Sequence, residues 1–465
     1  MPTARKKHPK HQQPTDPTAG LPPLNLHAAG IDVGSAEHYV AVPPDRSPEP
    51  VRRFASFTAD LHALADWLQA CRIETVVMES TGVYWIPLFQ ILEARGLEVH
   101  LVNARHAKHV PGRKTDIADC QWLQKLHTFG LLNGSFRPTD EICVLRSYLR
   151  QRETLISAAA TCIQHMQKAL TEMNVQLANV ISDISGVTGL AIIRALLAGE
   201  RDPATLAALK DYRIKANTHT IAKSLEGNWR EELLFNLRQS LELYEVYQQK
   251  IAACDARIEA HLHTFDTKIE VQTNPAPTST RRPKKARRNE PHFDVRTELY
   301  RISGVDLTRI DGIEVLTAQT LIAEIGLDMS RWKTEKHFAS WLGLCPDNRI
   351  SGGKVLTRGT RDVVNRAADA LRLAAQNLLH SKSALGANYR RLRARLGAPK
   401  AITAMAHKLA RLVYRMLKFG QQYVDKGMQH YEARFRQQRL QWLQRQAREL
   451  NLQLVPNQPV PSVVS

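Results

Sequence analysis

Near residue 140 the spacing of apolar residues changes, and that change divides the chain. Ile142, Leu145, Leu149, Ile156, Ala159, Ile163, Met166, Leu170, Met173 and Leu177 recur in alternating steps of three and four, with Arg152 as the interruption. This is a heptad seam, and a helix that carries one must lie along another helix. A second seam runs through Leu234, Leu237, Leu241, Tyr244, Ile251, Ile258 and Leu262. The two, with a broken helical segment between them, predict an antiparallel coiled-coil arm over residues 139–266. The same spacing also fits the core of a helical bundle.

Upstream of the seam the pattern is mixed. "AAGIDV" and "HYVAV" read as paired strands, "LHALADWLQAC" as a helix and "ETVVMES" as a buried strand. "WIPLFQILEARG" then reads as a helix, "EVHLVN" as a strand, and "TDIADCQWLQKLHTFG" starts another helix. Residues 25–138 are therefore expected to form an α/β domain with a strand pair at its start. Residues 1–24 are rich in Pro, Lys and His and read as a disordered basic tail. Residues 267–298 read as a linker rich in Pro and Arg. Its "RRPKKARR" suits a flexible arm on phosphates or a plain solvated linker. A mainly helical domain is expected over 299–428, and the tail over 429–465 starts helical and ends loose.

Lys and Arg total 64 against 45 acids, a formal charge of +19. That excess favours a polyanionic partner, with nucleic acid the first candidate. None of the six cysteines forms a C-x-x-C pair, which argues against a zinc ribbon or disulfide framework and suits a reducing cytoplasm. The N-terminus lacks an apolar core and no apolar run reaches membrane-spanning length. The expected location is the cytoplasm, at the nucleoid when DNA is bound, with no membrane partner.

Four acids stand out. Asp32 sits inside the apolar run "AAGIDVG", where an acid is costly unless it is bound. Glu79 ends the strand "TVVME". Asp116 and Asp119, in "KTDIADC", are three apart and share a helix face. Converging at one sheet edge, the four would hold divalent cations and leave positions open for substrate oxygens; Mg²⁺ suits an all-oxygen site. A D-x-x-D pair is also common on solvated faces. "IDVGS" looks like the first phosphate loop of actin-like ATPases and sugar kinases. That reading needs a second strand–loop later in the chain, and "RIDGIEVLTAQ" is followed by a helix, so it is set aside. The order Asp, Glu, Asp-x-x-Asp looks like the ribonuclease-H fold in its RuvC-like form.

Further on, "ISGVDLTRIDGIEVLTAQTLIAEIG" looks like a helix-hairpin-helix, with Glu314 where the second glycine usually stands. "WLGLCP" then leads to "NRISGGKVLTRGT" and "RDVVNRAA". From spacing alone, Ser351-Gly352-Gly353-Lys354 reads as a hairpin turn. Lys354, Arg358 and Arg361 are candidate phosphate or RNA contacts, as are Arg113 and Lys114; ordinary solvated charge is the alternative for all five.

Taken jointly, these motifs resemble the DEDD-type insertion-sequence transposases, the insertion-sequence one-ten family also called bridge recombinases, over roughly residues 28–425. The resemblance implies an α/β RuvC-like domain, a coiled-coil arm and a mainly α-helical transposase domain. It implies that Asp32, Glu79, Asp116 and Asp119 are catalytic and hold Mg²⁺, and that Ser351 is the catalytic serine. Gly352 and Gly353 then let the backbone approach a phosphate. It also implies an element-encoded bridge RNA that pairs with donor and target DNA. Family members act as dimers that join into tetramers, the acidic site of one protomer being completed by the serine of another. A serine hydroxyl attacks phosphorus poorly unless activated, and metal-bound carboxylates supply that setting. Two other readings follow from the residues: a RuvC-like nuclease that uses water, and a non-enzymatic nucleic-acid scaffold.

Overall fold

The structure, a computed structural model, describes residues 20–80, 82–103, 115–132, 134–278, 289–357, 359–361 and 363–455. The chain divides into two compact units, Met1–Arg137 and Pro138–Ser465.

The first unit is built on a five-stranded sheet. Its elements in order are β1 (Ala28–Val33), β2 (Glu37–Ala41), β3 (Val51–Ala55), α1 (Thr58–Ala70), β4 (Thr75–Glu79), α2 (Trp85–Ala94), β5 (Glu98–Val102) and α3 (Asp116–Thr128). The strand order is β3-β2-β1-β4-β5, antiparallel on the β3 side of β1 and parallel on the β4 side. Side chains alternate across the sheet. Ile31, Val33, Val40 and Met78 point to one face and pack with Leu64 and Leu68 of α1 and Leu88 and Leu92 of α2. Val77 and Val102 point to the other and meet Leu123 of α3. The expected strands and helices of this unit are all present. β3 is an addition: its "VRRFA" is half-exposed along its length, as befits an edge strand, and carries no apolar alternation to announce it.

The second unit opens with α4 (Asp140–Glu172), three short helices α5 (Val187–Leu197), α6 (Pro203–Ala208) and α7 (Thr218–Ser224), and the long α8 (Glu231–Leu262). α4 and α8 lie side by side and antiparallel. The His261 ring, near the end of α8, bonds the carbonyl of Glu141 at the start of α4. Most residues of both seams are buried along this contact, and α5–α7 close its far end in one apolar cluster. Arg152 is not a gap in the seam. It is 5% exposed, and its Nε donates to Asp255 Oδ1 at 2.5 Å, with Asp255 only 3% exposed. Its Nη2 also donates to the carbonyl of Asn289.

The remaining elements are α9 (Val295–Ser303), α10 (Val315–Ile325), α11 (Glu335–Trp341), β6 (Arg349–Ser351), β7 (Lys354–Thr357), α12 (Arg366–Asn377), α13 (Ala384–Leu396), α14 (Ala398–Phe419) and α15 (Gly427–Glu449). α14 is the central helix of this part: buried Tyr414 donates to the Trp332 carbonyl at 2.7 Å, and Glu335 takes both Arg411 and Arg415. Between α9 and α10, Gly312 has φ +92° and is buried. A Cβ there would come 2.5 Å from the Ala374 carbonyl of α12, so this glycine serves close packing against α12. Among the described residues no helix is long and apolar enough to cross a membrane.

Candidate active site: an acidic sheet edge and a glycine hairpin

β1 and β4 are parallel neighbours, with Ile31 opposite Met78. One step further along each strand brings Asp32 and Glu79 out at the same sheet edge. Both are half-buried, and Asp32 lies between Ile31 and Val33, which face the opposite side. The helix with the other two acids is started by Thr115, whose side chain accepts from Ala118 N at 3.2 Å. Asp116 and Asp119 thus fall in the first turn of α3, where the helix dipole favours carboxylates.

The seating of α3 depends on Gly30. A Cβ on Gly30 would lie 2.3 Å from Gln124 N and 2.4 Å from the Cys120 carbonyl. The helix therefore rests directly on β1. Gln124 Nε2 also reaches the Ala28 carbonyl at 3.4 Å. With Gln124 over Ala28 and Cys120 over Gly30, the next turn, which carries Asp116 and Asp119, runs toward Asp32. The Cys120 thiol, directly after Asp119, is buried under α3. Its pKa is pushed up to about 12, by burial first, and then by the charges of Asp32 and Asp119. A thiol so placed stays protonated at neutral pH and is no nucleophile.

This donor set, all oxygen and half open to solvent, has the chemistry that a hard cation requires. Among the described residues, however, no three acidic, histidine or cysteine side chains stand close enough to hold a metal ion. The acids share an edge and are not closed into a cage; Asp116 is exposed and Asp119 half-buried. Arg113 and Lys114, just before them, lie outside the described residues.

Sequence reading missed three neighbours of this edge. Tyr39 is directly opposite Asp32 in the β1–β2 register. Its hydroxyl donates to Glu37 Oε1 at 3.2 Å, and Glu37 pairs with Arg53 of β3, also at 3.2 Å. Only the unrecognised edge strand brings Arg53 here, so no local motif could have pointed to it.

In the second unit β6 and β7 form a two-residue hairpin with Ser351 opposite Lys354. Gly352 and Gly353 have φ +54° and +77°. Positive φ at both central residues is what a type I′ turn demands, and glycine supplies it without strain. Among the described residues, no atom other than those of the glycines themselves and their chain neighbours lies within 4 Å of a Cβ built on either glycine. The tip is thus open, and Ser351 and Lys354 are exposed on it. The base of the hairpin is tied by a Pro346–Thr360 bridge and by Asp347 N donating to the Gly359 carbonyl at 2.6 Å. Arg361 is engaged with Ser340, donating to its carbonyl and hydroxyl. Arg358 lies outside the described residues.

Two family profiles match the chain. That of the DEDD transposases of the IS110 type, described as a transposase, matches residues 29–175, which include all four acids. That of the transposase IS116/IS110/IS902 family matches residues 306–390, which include Ser351. No curated protein sequence matches the chain.

Proposed function

Because the chain belongs to the IS110 family of transposases, we propose that it cuts and rejoins DNA strands between a donor and a target through Ser351 and the four carboxylates. The observation that carries this reading is the acidic edge, where Asp32 and Glu79 emerge from adjacent parallel strands and the helix that begins with Asp116 and Asp119 rests directly on β1 at Gly30. The sheet order, three antiparallel strands followed by two parallel ones, supports a ribonuclease-H fold of the RuvC type for this unit.

Asp32, Glu79, Asp116 and Asp119 would hold Mg²⁺. The ion, when bound, neutralises charge developing on the phosphate and lowers the barrier to its attack. Ser351 Oγ attacks the scissile phosphorus. An Oγ–P bond forms, the bond from phosphorus to the 3′ oxygen breaks, and the proton leaves the serine as the 3′ hydroxyl is freed. The product is a 5′-phosphoserine. A 3′ hydroxyl of the other DNA then attacks this ester and restores the serine, so no ATP is required. The open glycine tip removes side-chain bulk where the phosphate must approach, and Lys354 offers it a cation. The family resemblance supports guidance by an element-encoded bridge RNA and action as a dimer that joins into a tetramer. The basic composition supports a nucleic-acid partner of either kind.

A second reading, a Mg²⁺-dependent RuvC-like nuclease without a covalent intermediate, is favoured by one observation: Gly352 and Gly353 have the conformation that a plain hairpin turn needs on its own account. The two separate in a strand-cleavage assay. In the recombinase reading Ser351→Ala abolishes both cutting and joining while DNA binding persists. Hydrolytic cuts that survive Ser351→Ala but are lost in Asp116→Asn would establish the nuclease. Sequencing RNA bound to the chain purified from cells carrying the whole element tests the guide: complementarity to donor and target supports it, and its absence removes it.

A further inference from the structure

α15 is set apart by what it leaves uncovered. It is 23 residues long and none is buried. It is attached near its start, where Tyr431 Oη donates to Asn388 Oδ1 at 3.0 Å and the Arg391 guanidinium lies 3.4 Å over the Phe435 ring. Beyond Phe435, Leu440 and Trp442 are 50% and 57% exposed. Helices of this length usually owe their stability to a buried face, so one without such a face gains stability from whatever covers it.

The charge pattern says what would cover it. The helix holds five arginines against two glutamates. At 3.6 residues per turn, Arg434, Gln437, Gln441, Gln444, Arg445 and Arg448 fall in one stripe about 100° wide. All six are exposed. Tyr431 and Phe435, which dock the helix, fall outside the stripe. So do both glutamates, and Glu449 is held by Gln446 at 2.8 Å. No carboxylate pairs with these three arginines among the described residues.

We propose that α15 lays this stripe into the major groove of duplex DNA. Arg and Gln carry the fork-shaped donors and acceptors that meet phosphates and base edges. Arg434 and Arg445 are about 16 Å apart along the helix, enough to reach backbone on both sides of a groove about 12 Å wide. The deep, narrow major groove of A-form RNA does not admit a helix, which selects DNA over a guide duplex. The surface lies beyond both family matches, and its DNA contact is independent of how strands are cut.

The test uses the full chain and a fluorescent 30-base-pair DNA duplex of arbitrary sequence, with an RNA duplex of the same sequence as comparison. Binding is followed by anisotropy across a salt series. Combined Arg434→Gln, Arg445→Gln and Arg448→Gln should lower the slope of log affinity against log salt by about two to three for DNA and leave RNA unchanged. Arg436→Gln, on the far side of the helix, should leave the DNA slope in place. Gln441→Glu puts one acid at the centre of the stripe and keeps a good helix former; it should weaken DNA binding several-fold. An unchanged DNA slope in the triple variant, an equal or larger loss for RNA, or full DNA affinity in Gln441→Glu would overturn the proposal.

Discussion

The backbone atoms nearest a Cβ at Gly30 belong to the helix that presents Asp116 and Asp119. Gly30→Ala therefore tests the acidic edge without touching a carboxylate. We expect α3 to be pushed off β1, stability to fall by about 1–3 kcal/mol in thermal melts, and strand cleavage to fall with it. A second residue reports on the same sheet face. His127 is buried, with a ring nitrogen 2.9 Å from Thr75 Oγ1 and the His100 ring 5.0 Å away. Burial, with His100 second, lowers its pKa from 6.5 to about 4. Below about 6.5 the unfolded chain takes up a proton that the folded chain refuses until about 4. Stability is thus fully present above that window and falls as pH drops through it, by no more than about 3 kcal/mol. Melting at pH 7.5 and pH 5 should show the loss, and His127→Asn should flatten it. Residues of this kind were half legible. The four acids announced themselves by position, whereas the Tyr39–Glu37–Arg53 chain needed the strand pairing to be seen.

For the elements, spacing told most where packing is local. Both seams of the α4–α8 pair were readable because a heptad pattern is the direct imprint of one helix on another. What spacing could not show is that Arg152, read as an interruption, finds its counterpart in Asp255 on the facing helix. The pair joins the turn of α4 at Arg152 to the turn of α8 at Asp255. We expect Arg152→Leu or Asp255→Leu alone to cost about 3–5 kcal/mol by stranding a buried charge, and the double substitution to recover most of it. A denaturant series on the two singles and the double measures this; a fully additive double would show that the pair is not coupled. β3 and the role of Gly312 were illegible for the opposite reason. An edge strand half open to solvent has no apolar alternation, and the close approach of α12 to Gly312 joins residues over 60 apart in sequence.

At the scale of the whole molecule, the sequence motifs identify what each unit carries: an acidic edge in the first, an open serine hairpin in the second. The net charge of +19 belongs to this scale as well, and DNA affinity should fall steeply with added salt. The central claim is that the exposed hydroxyl of Ser351 and the acids of the sheet edge serve one reaction. The most direct test is to incubate the chain, purified from cells carrying the whole element, with Mg²⁺ and donor DNA, denature, digest, and look by mass spectrometry for a nucleotide on the peptide containing Ser351. We expect a 5′-phosphate ester on Ser351, absent from Ser351→Ala and from Asp119→Asn. Cut DNA with free 5′ phosphates and no ester on Ser351, or an adduct that persists in Ser351→Ala, would contradict it.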